Sequence, residues 1–296
     1  MADLAVPGRD ESVPVSRDRS RSRGLRTLVR NKSAVIGILI LLVFAVVALA
    51  APLLTPYDPA QQSLQSAFEK PSASHPLGTD NLGRDILARI MFGGRYTLMI
   101  GILAVSLASV IGVPLGLVSG YFGGWVDLVI QRIADIMLSF NPFLLALLLV
   151  AVLGVGLQSV IIAAGIGVIP QFIRLARGQA LSLREEVYVQ AADAFGASRF
   201  SILRRHIARN SLTPIVVFAT LNVGLTVLVA AGLGFLGLGV QPPSSEWGTM
   251  LGEGREYIFY ASYTSTFPGL AIFLVVLGFN LAGDGLRDAL DPSLRA

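Results

Sequence analysis

Residues 136–173 read IMLSFNPFLLALLLVAVLGVGLQSVIIAAGIGVIPQFI, 38 positions without one charge. As one α-helix the run would reach about 57 Å, nearly twice the roughly 30 Å hydrocarbon thickness of a bilayer. It must fold back on itself. Gly154-Val155-Gly156-Leu157-Gln158, with two glycines and a polar side chain, supplies the turn. Two crossings follow, at about 134–153 and 159–177.

Four more charge-free runs flank this one: Ser33 to Tyr57, Thr97 to Val126, Asn210 to Ser245 and Tyr257 to Gly283. Each is long enough to span. In the Asn210 run the glycine-rich part, Gly232 to Gly239, leaves room for one crossing and an external loop. The expectation is an all-α polytopic membrane protein with six transmembrane helices, at about 34–54, 98–120, 134–153, 159–177, 212–236 and 267–284. Composition agrees: 53% of the 296 residues are apolar and only 14% charged, where a soluble domain carries about 25%.

The even span number puts both termini on one side, and Lys and Arg decide which. Eighteen lie in the N-terminal tail, the second loop, the 174–209 segment and the C-terminal tail, against five on the other side. The positive-inside rule makes the first group cytoplasmic. Residues 1–32 form a basic, Ser- and Arg-rich tail expected to be disordered along anionic headgroups, with residues 33–296 as the membrane domain. The tail serves as an orientation signal or as a regulatory segment. The first apolar run exceeds the roughly 7 to 15 residues of a signal-peptide core, so it reads as a retained span.

Several activities are excluded by what is missing. There is no cysteine and only two histidines, His75 and His206, so thiolate chemistry and a multi-histidine metal centre are out of reach, and no metal site is expected. The basic excess follows topology, so no nucleic acid is expected. Gly116-Leu117-Val118-Ser119-Gly120 is one residue too long for an intramembrane serine-protease motif, and Leu281-Ala282-Gly283-Asp284 lacks the first glycine of an aspartyl one. Neither lysine, Lys32 or Lys70, sits in a Gly-Lys-Ser/Thr phosphate loop, so this chain is no ATPase and any ATP-driven process borrows its engine from another chain. The scarcity of charges within the spans argues against an ion-coupled transporter.

In the second span Ala104, Ala108, Gly112, Gly116 and Gly120 recur every four residues and let a helix approach closely, either within the chain or at a subunit interface. Asn141, Gln171, Asn222, Thr226 and Asn280 are polar groups expected to face a cavity or to bond between helices; Asn141, Asn222 and Thr226 are the candidates for a pathway lining. In the 178–211 loop, Ser182-Leu183-Arg184-Glu185 reads as a capping box that starts a helix. Tyr188, Ala191, Ala192 and Phe195 follow at helical spacing, Gly196 stops the helix, and Ala197-Ser198 begins another. Such a face enters a groove on a partner or rests on the bilayer surface.

Gln190-Ala191-Ala192-x3-Gly196 resembles the E-A-A-x3-G loop of ATP-binding-cassette importer permeases. Three further segments resemble the C-type permease subunit of the dipeptide, oligopeptide and nickel importers. They are His75 to Asp85 (HPLGTDNLGRD), Gly234 to Pro243 with Glu246-Trp247-Gly248, and Gly283 to Pro292 (GDGLRDALDP). The likeness covers roughly residues 24 to 295. Gln190 stands where the family usually has Glu, and Ala208-Arg209 where the loop usually ends in Leu-Pro; either alters the charge or stiffness of the ATPase contact.

The resemblance implies a type I importer permease in the bacterial inner membrane that forms half of an alternating-access pathway for di- or oligopeptides. Nickel chelates and glutathione are cargoes of similar permeases. It implies a coupling helix carrying Glu185, Tyr188, Gln190, Ala191, Ala192, Phe195 and Gly196, and an outer-loop motif of Gly78, Thr79, Asp80, Gly83, Arg84 and Asp85. Asp80, Arg84 and Asp85 either pair to pin that loop or contact peptide. The implied partners are a homologous B-type permease, two ATP-binding subunits or domains carrying ATP and Mg, and an extracytoplasmic binding protein. A passive pore or a membrane scaffold is the competing class.

Overall fold

A computed structural model describes residues 31–290. The basic tail up to residue 30 and the Asp291-Pro292 end of the last motif lie outside the described residues. Among the described residues, five helices are long and apolar enough to cross a membrane: α1 (Lys32–Leu54), α2 (Ile86–Phe122), α5 (Leu157–Arg184), α7 (Arg199–Phe235) and α9 (Tyr263–Leu290). Between them lie α3 (Gly124–Leu138), α4 (Pro142–Leu153), α6 (Val187–Ala194) and α8 (Trp247–Gly254).

The expected third span, 134–153, is not one helix. It is divided between α3 and α4, which meet at 89° and together make a sixth candidate span. The break falls at Ser139-Phe140-Asn141, because Pro142 lacks the N–H to continue α3 and suits the first turn of α4. Asn141 caps α4, its Oδ1 accepting from Phe143 N–H at 2.9 Å. The Gly154-to-Gly156 turn lies where the sequence places it, with φ of 87° and 141° at the two glycines.

The small-residue stripe of α2 faces α5 inside the same chain. A Cβ on Gly112 would lie 2.6 Å from Phe172 Cβ, and one on Gly120 would lie 2.6 Å from the Arg177 carbonyl. Without side chains there, the two backbones close to near contact, and Phe172, Ile173, Ala176 and Ala180 are buried along the seam. Asp127, on α3, locks the same region: Arg177 donates to both its oxygens at 2.6 and 2.7 Å. α1 lies along α9, its start held by Asn31 Nδ2 donating to Asp288 Oδ2 at 2.9 Å.

α2 is 37 residues long, about 55 Å, and outruns the hydrocarbon core. Its first turns therefore stand among the 58–85 and 241–262 loops. Its last turn reaches the opposite end, where α5 hands over to α6.

Candidate functional site

At that end, α6 is an eight-residue helix suspended between two long ones. The expected capping box does not form. Ser182 lies in the last turn of α5, Glu185 is its C-cap, and α6 starts after Glu186. The Ser-x-x-Glu pattern is present, but the helix from Leu157 runs on through it to Arg184. Gly196, at φ 80°, ends α6: Gly196 N–H donates to Asp193 O at 2.9 Å and Ala197 N–H to Ala192 O at 3.0 Å, the two bonds of a Schellman stop. Ser198 then caps α7 through Ser201 N–H. Leu203–Ala208 winds as a π-helical stretch near the α7 start, at the place of the Ala208-Arg209 departure.

One buried side chain anchors α6 to the bundle. Val189 is buried among Leu117, Ala176, Ile202 and Ile207. Tyr188 leans back to α7, its hydroxyl accepting from Asn210 Nδ2 at 2.9 Å, and Gln190 Nε2 donates to Glu185 O at 3.2 Å. Ala192 is half-buried, whereas Val187, Ala191 and Phe195 share the bare face. Phe195 is 92% exposed, a large apolar surface on a loop with nothing covering it.

In mid-bundle, α4, α5 and α7 line a partly open cavity of about 240 Å3 whose polar lining is Asn141, Gln171, Asn222 and Thr226. The three candidate lining residues and Gln171 thus converge from three helices. Asn222 Nδ2 donates to Phe218 O at 2.9 Å, and Thr226 Oγ1 is buried with no partner among the described residues. A second hollow of about 420 Å3, lined by Leu175, Pro214, Phe218, Leu221 and Arg287, lies nearer α6. Leu175 is one turn from Gln171 and Leu221 adjoins Asn222, so the hollows share the α5–α7 groove.

The opposite end is a knot. Asp80, Arg84 and Arg89 are buried together. Arg84 Nε donates to Asp80 Oδ2 at 2.6 Å, Arg89 bonds the same carboxylate, and both guanidiniums reach Glu253 at 2.9 Å. Asp85 does not join this cluster as expected. Its carboxylate takes Ala88 N–H as the α2 cap and pairs with His75 Nδ1 at 2.9 Å. Thr79 is buried, donating to Ser66 O at 2.5 Å and accepting from Glu69 N–H at 2.8 Å. Gly78 and Gly83 turn the loop at φ 79° and 71°. Arg89 and Glu253 were missed by sequence reading because they meet only through the fold, 164 positions apart. Glu246, also buried, caps α8 by accepting from Gly248 and Thr249 N–H at 2.9 Å; burial pushes its carboxyl up, against the pull of those donors and of Thr97.

Residues 112–296 match the family described as binding-protein-dependent transport system inner membrane component, and residues 22–71 match the N-terminal transmembrane domain of oligopeptide transport permease C. The chain belongs to this permease family. The dipeptide transport system permease protein DppC of Alkalihalophilus pseudofirmus is 47% identical to the permease over 98% of this chain and 94% of that protein. The glutathione transport system permease protein GsiD of Pectobacterium atrosepticum is 44% identical over 96% of each. The probable D,D-dipeptide transport system permease protein DdpC of Escherichia coli K12 is 46% identical over 88% of this chain and 86% of that one. Among solved structures, an inward-facing MetNI methionine ABC transporter matches with a TM-score of 0.55 at 20% identity, over 69% of this chain and 97% of that chain; the likeness is one of fold. The permease is a multi-pass component of an ABC importer in the bacterial inner membrane, and the pore or scaffold alternative is not favoured. Its relatives are transport proteins, not enzymes.

Proposed function

We propose that the chain is the C-type half of an ATP-driven importer of short peptides, with α6 as the part that takes up force from an ATPase. Both termini and the 178–211 loop face the cytoplasm, in keeping with the 18-to-5 Lys and Arg tally. A homologous B-type permease completes the pathway, and two ATP-binding subunits, holding ATP and Mg, sit under the two loops. The knotted end faces an extracytoplasmic binding protein. Asp80, Arg84 and Asp85 pin that end rather than touch peptide, since their carboxylates and guanidinium are already spent on one another, His75, Arg89 and Glu253. The cargo reading rests on the relatives named for dipeptides and glutathione, all of which carry peptide bonds.

The observation that carries the reading is the attachment of α6. It is tied by Val189 and by short covalent links to α5 and α7, while its outer face is bare. A groove that grips Val187, Ala191 and Phe195 therefore pulls on the ends of two spanning helices at once. ATP binding closes the ATPase pair, α6 moves with it, and α5 and α7 tilt to open the groove to the other side.

Gly196→Val tests this. No atom lies within 4 Å of a Cβ there, so nothing clashes, but a β-branched residue resists a φ of 80°. Insertion and complex assembly should persist while ATP hydrolysis continues without uptake. Normal peptide uptake by that variant would remove α6 as the transmitter.

A further inference from the structure

The mid-bundle cavity has an uncommitted set of hydrogen-bonding groups. Asn141 spends its Oδ1 on Phe143 N–H and keeps its amide N–H groups. Asn222 spends its Nδ2 on Phe218 O and keeps its Oδ1 as an acceptor. Neither the Gln171 amide nor the hydroxyl of Thr226, a residue 1% exposed, makes a bond with the described residues. The walls thus offer a donor, an acceptor and two groups that can be either. No ionisable residue lines the cavity.

Two physical arguments say what this set is for. Polar groups left open at membrane depth are costly against lipid, so they belong to a wall that meets water or solute. The interruption at Ser139-Phe140-Asn141 makes the same point for the backbone, because a broken spanning helix is tolerated where it lines a cavity. A secondary amide offers one C=O and one N–H, the complement of the free groups. The cavity, about 240 Å3, has room for about eight waters, enough for one peptide unit with small substituents.

We propose that this cavity is a subsite for the peptide bond of the cargo, with Thr226 and Gln171 as specificity-determining residues and Asn141 and Asn222 completing the set. Selection is then made partly inside the membrane. The inference rests on the peptide-importer reading above.

The test uses the complete transporter, with partner permease, ATPase subunits and binding protein, in proteoliposomes. Uptake of dialanine is compared with that of its ester-linked analogue, which lacks the amide N–H, for wild type, Thr226→Val, Thr226→Ser and Gln171→Met. Each comparison uses the same binding protein, so its own preference cancels between chains. Losing one such hydrogen bond should lower dialanine uptake about 2- to 10-fold in Thr226→Val and Gln171→Met. Uptake of the ester should change little in the variant whose residue accepts the amide N–H and should fall with dialanine in the one whose residue donates to the C=O, and Thr226→Ser should restore the wild-type pattern. Dialanine uptake unchanged in both variants, or equal losses for both cargoes in both variants, overturns the subsite and leaves the importer standing. A wild-type complex that moves other solutes but neither of these overturns both.

Discussion

The two ends of the permease are built on opposite principles. At one end, four charged side chains on two distant segments are locked into a buried cluster, and a fully buried Glu246 caps α8 beside Trp247. At the other, an eight-residue helix hangs by Val189 and presents a bare phenylalanine. Satisfied buried polar networks hold one arrangement, because each member left alone is costly. A helix with one buried anchor can shift without breaking much. The contrast assigns rigidity to the end that closes the bundle and compliance to the end that is pushed.

The largest effect should come from breaking the knot. Asp80→Ala leaves Arg84 and Arg89 sharing only the half-buried Glu253. Stranding a buried charge in this way costs about 3 to 5 kcal/mol. The variant should lose folded protein in the membrane, read as a fall in the thermal unfolding midpoint of the detergent-solubilised complex. A midpoint equal to wild type would mean that this end is no more rigid than the other.

Next is Gly116 on the stripe joining the two ends. Its Cβ position abuts the Ile173 carbonyl and lies 2.8 Å from Ala176 Cβ. Gly116→Val should force α2 and α5 apart, at about 1 to 3 kcal/mol, and lower both stability and coupling. A variant with altered coupling and unchanged stability would place the stripe with the compliant end.

Glu246 gives a pH signature of the rigid end. Its folded carboxyl holds its proton above the ordinary value of 4.5, so between that value and the raised one the folded state binds more protons than the unfolded chain. Stability from this group is present below the ordinary value and is lost as pH rises through the raised one. The midpoint of wild type should therefore fall relative to Glu246→Gln as the buffer pH rises above 4.5. Parallel curves would contradict the burial argument.

Legibility in the sequence divides along physical lines. Long charge-free runs announce spanning helices because the bilayer demands them, and a glycine stop such as Gly196 is visible because few other residues accept its φ. Asn141, Asn222 and Thr226 stood out for their polarity, but that they share one cavity with Gln171 is a product of three helices packing. Pro142 is one of several prolines in or beside spans, and the break before it does not stand out from the others because the 136–173 run has no charge or glycine there and proline is common in membrane helices. Ser182-Leu183-Arg184-Glu185 misled for the converse reason, since a local capping pattern loses to a helix already propagating through it. Arg89 and Glu253 carry no local signal at all.

The smallest effect on stability, and the one that separates the two ends most sharply, is expected at Phe195. Its ring is 92% exposed, so Phe195→Ala should change the unfolding midpoint by no more than a surface substitution does, within about 0.5 kcal/mol. Uptake should nonetheless fall and ATP hydrolysis should respond less to loaded binding protein, because the groove that holds α6 has lost its largest apolar contact. Phe259, 98% exposed at the knotted end, is the matched control. Phe259→Ala should leave the ratio of solute moved to ATP hydrolysed unchanged, since it lies at the far end from the helix that the ATPase grips. If the two alanine variants alter that ratio equally, the division between a pushed end and a fixed end fails, whatever the stability measurements say.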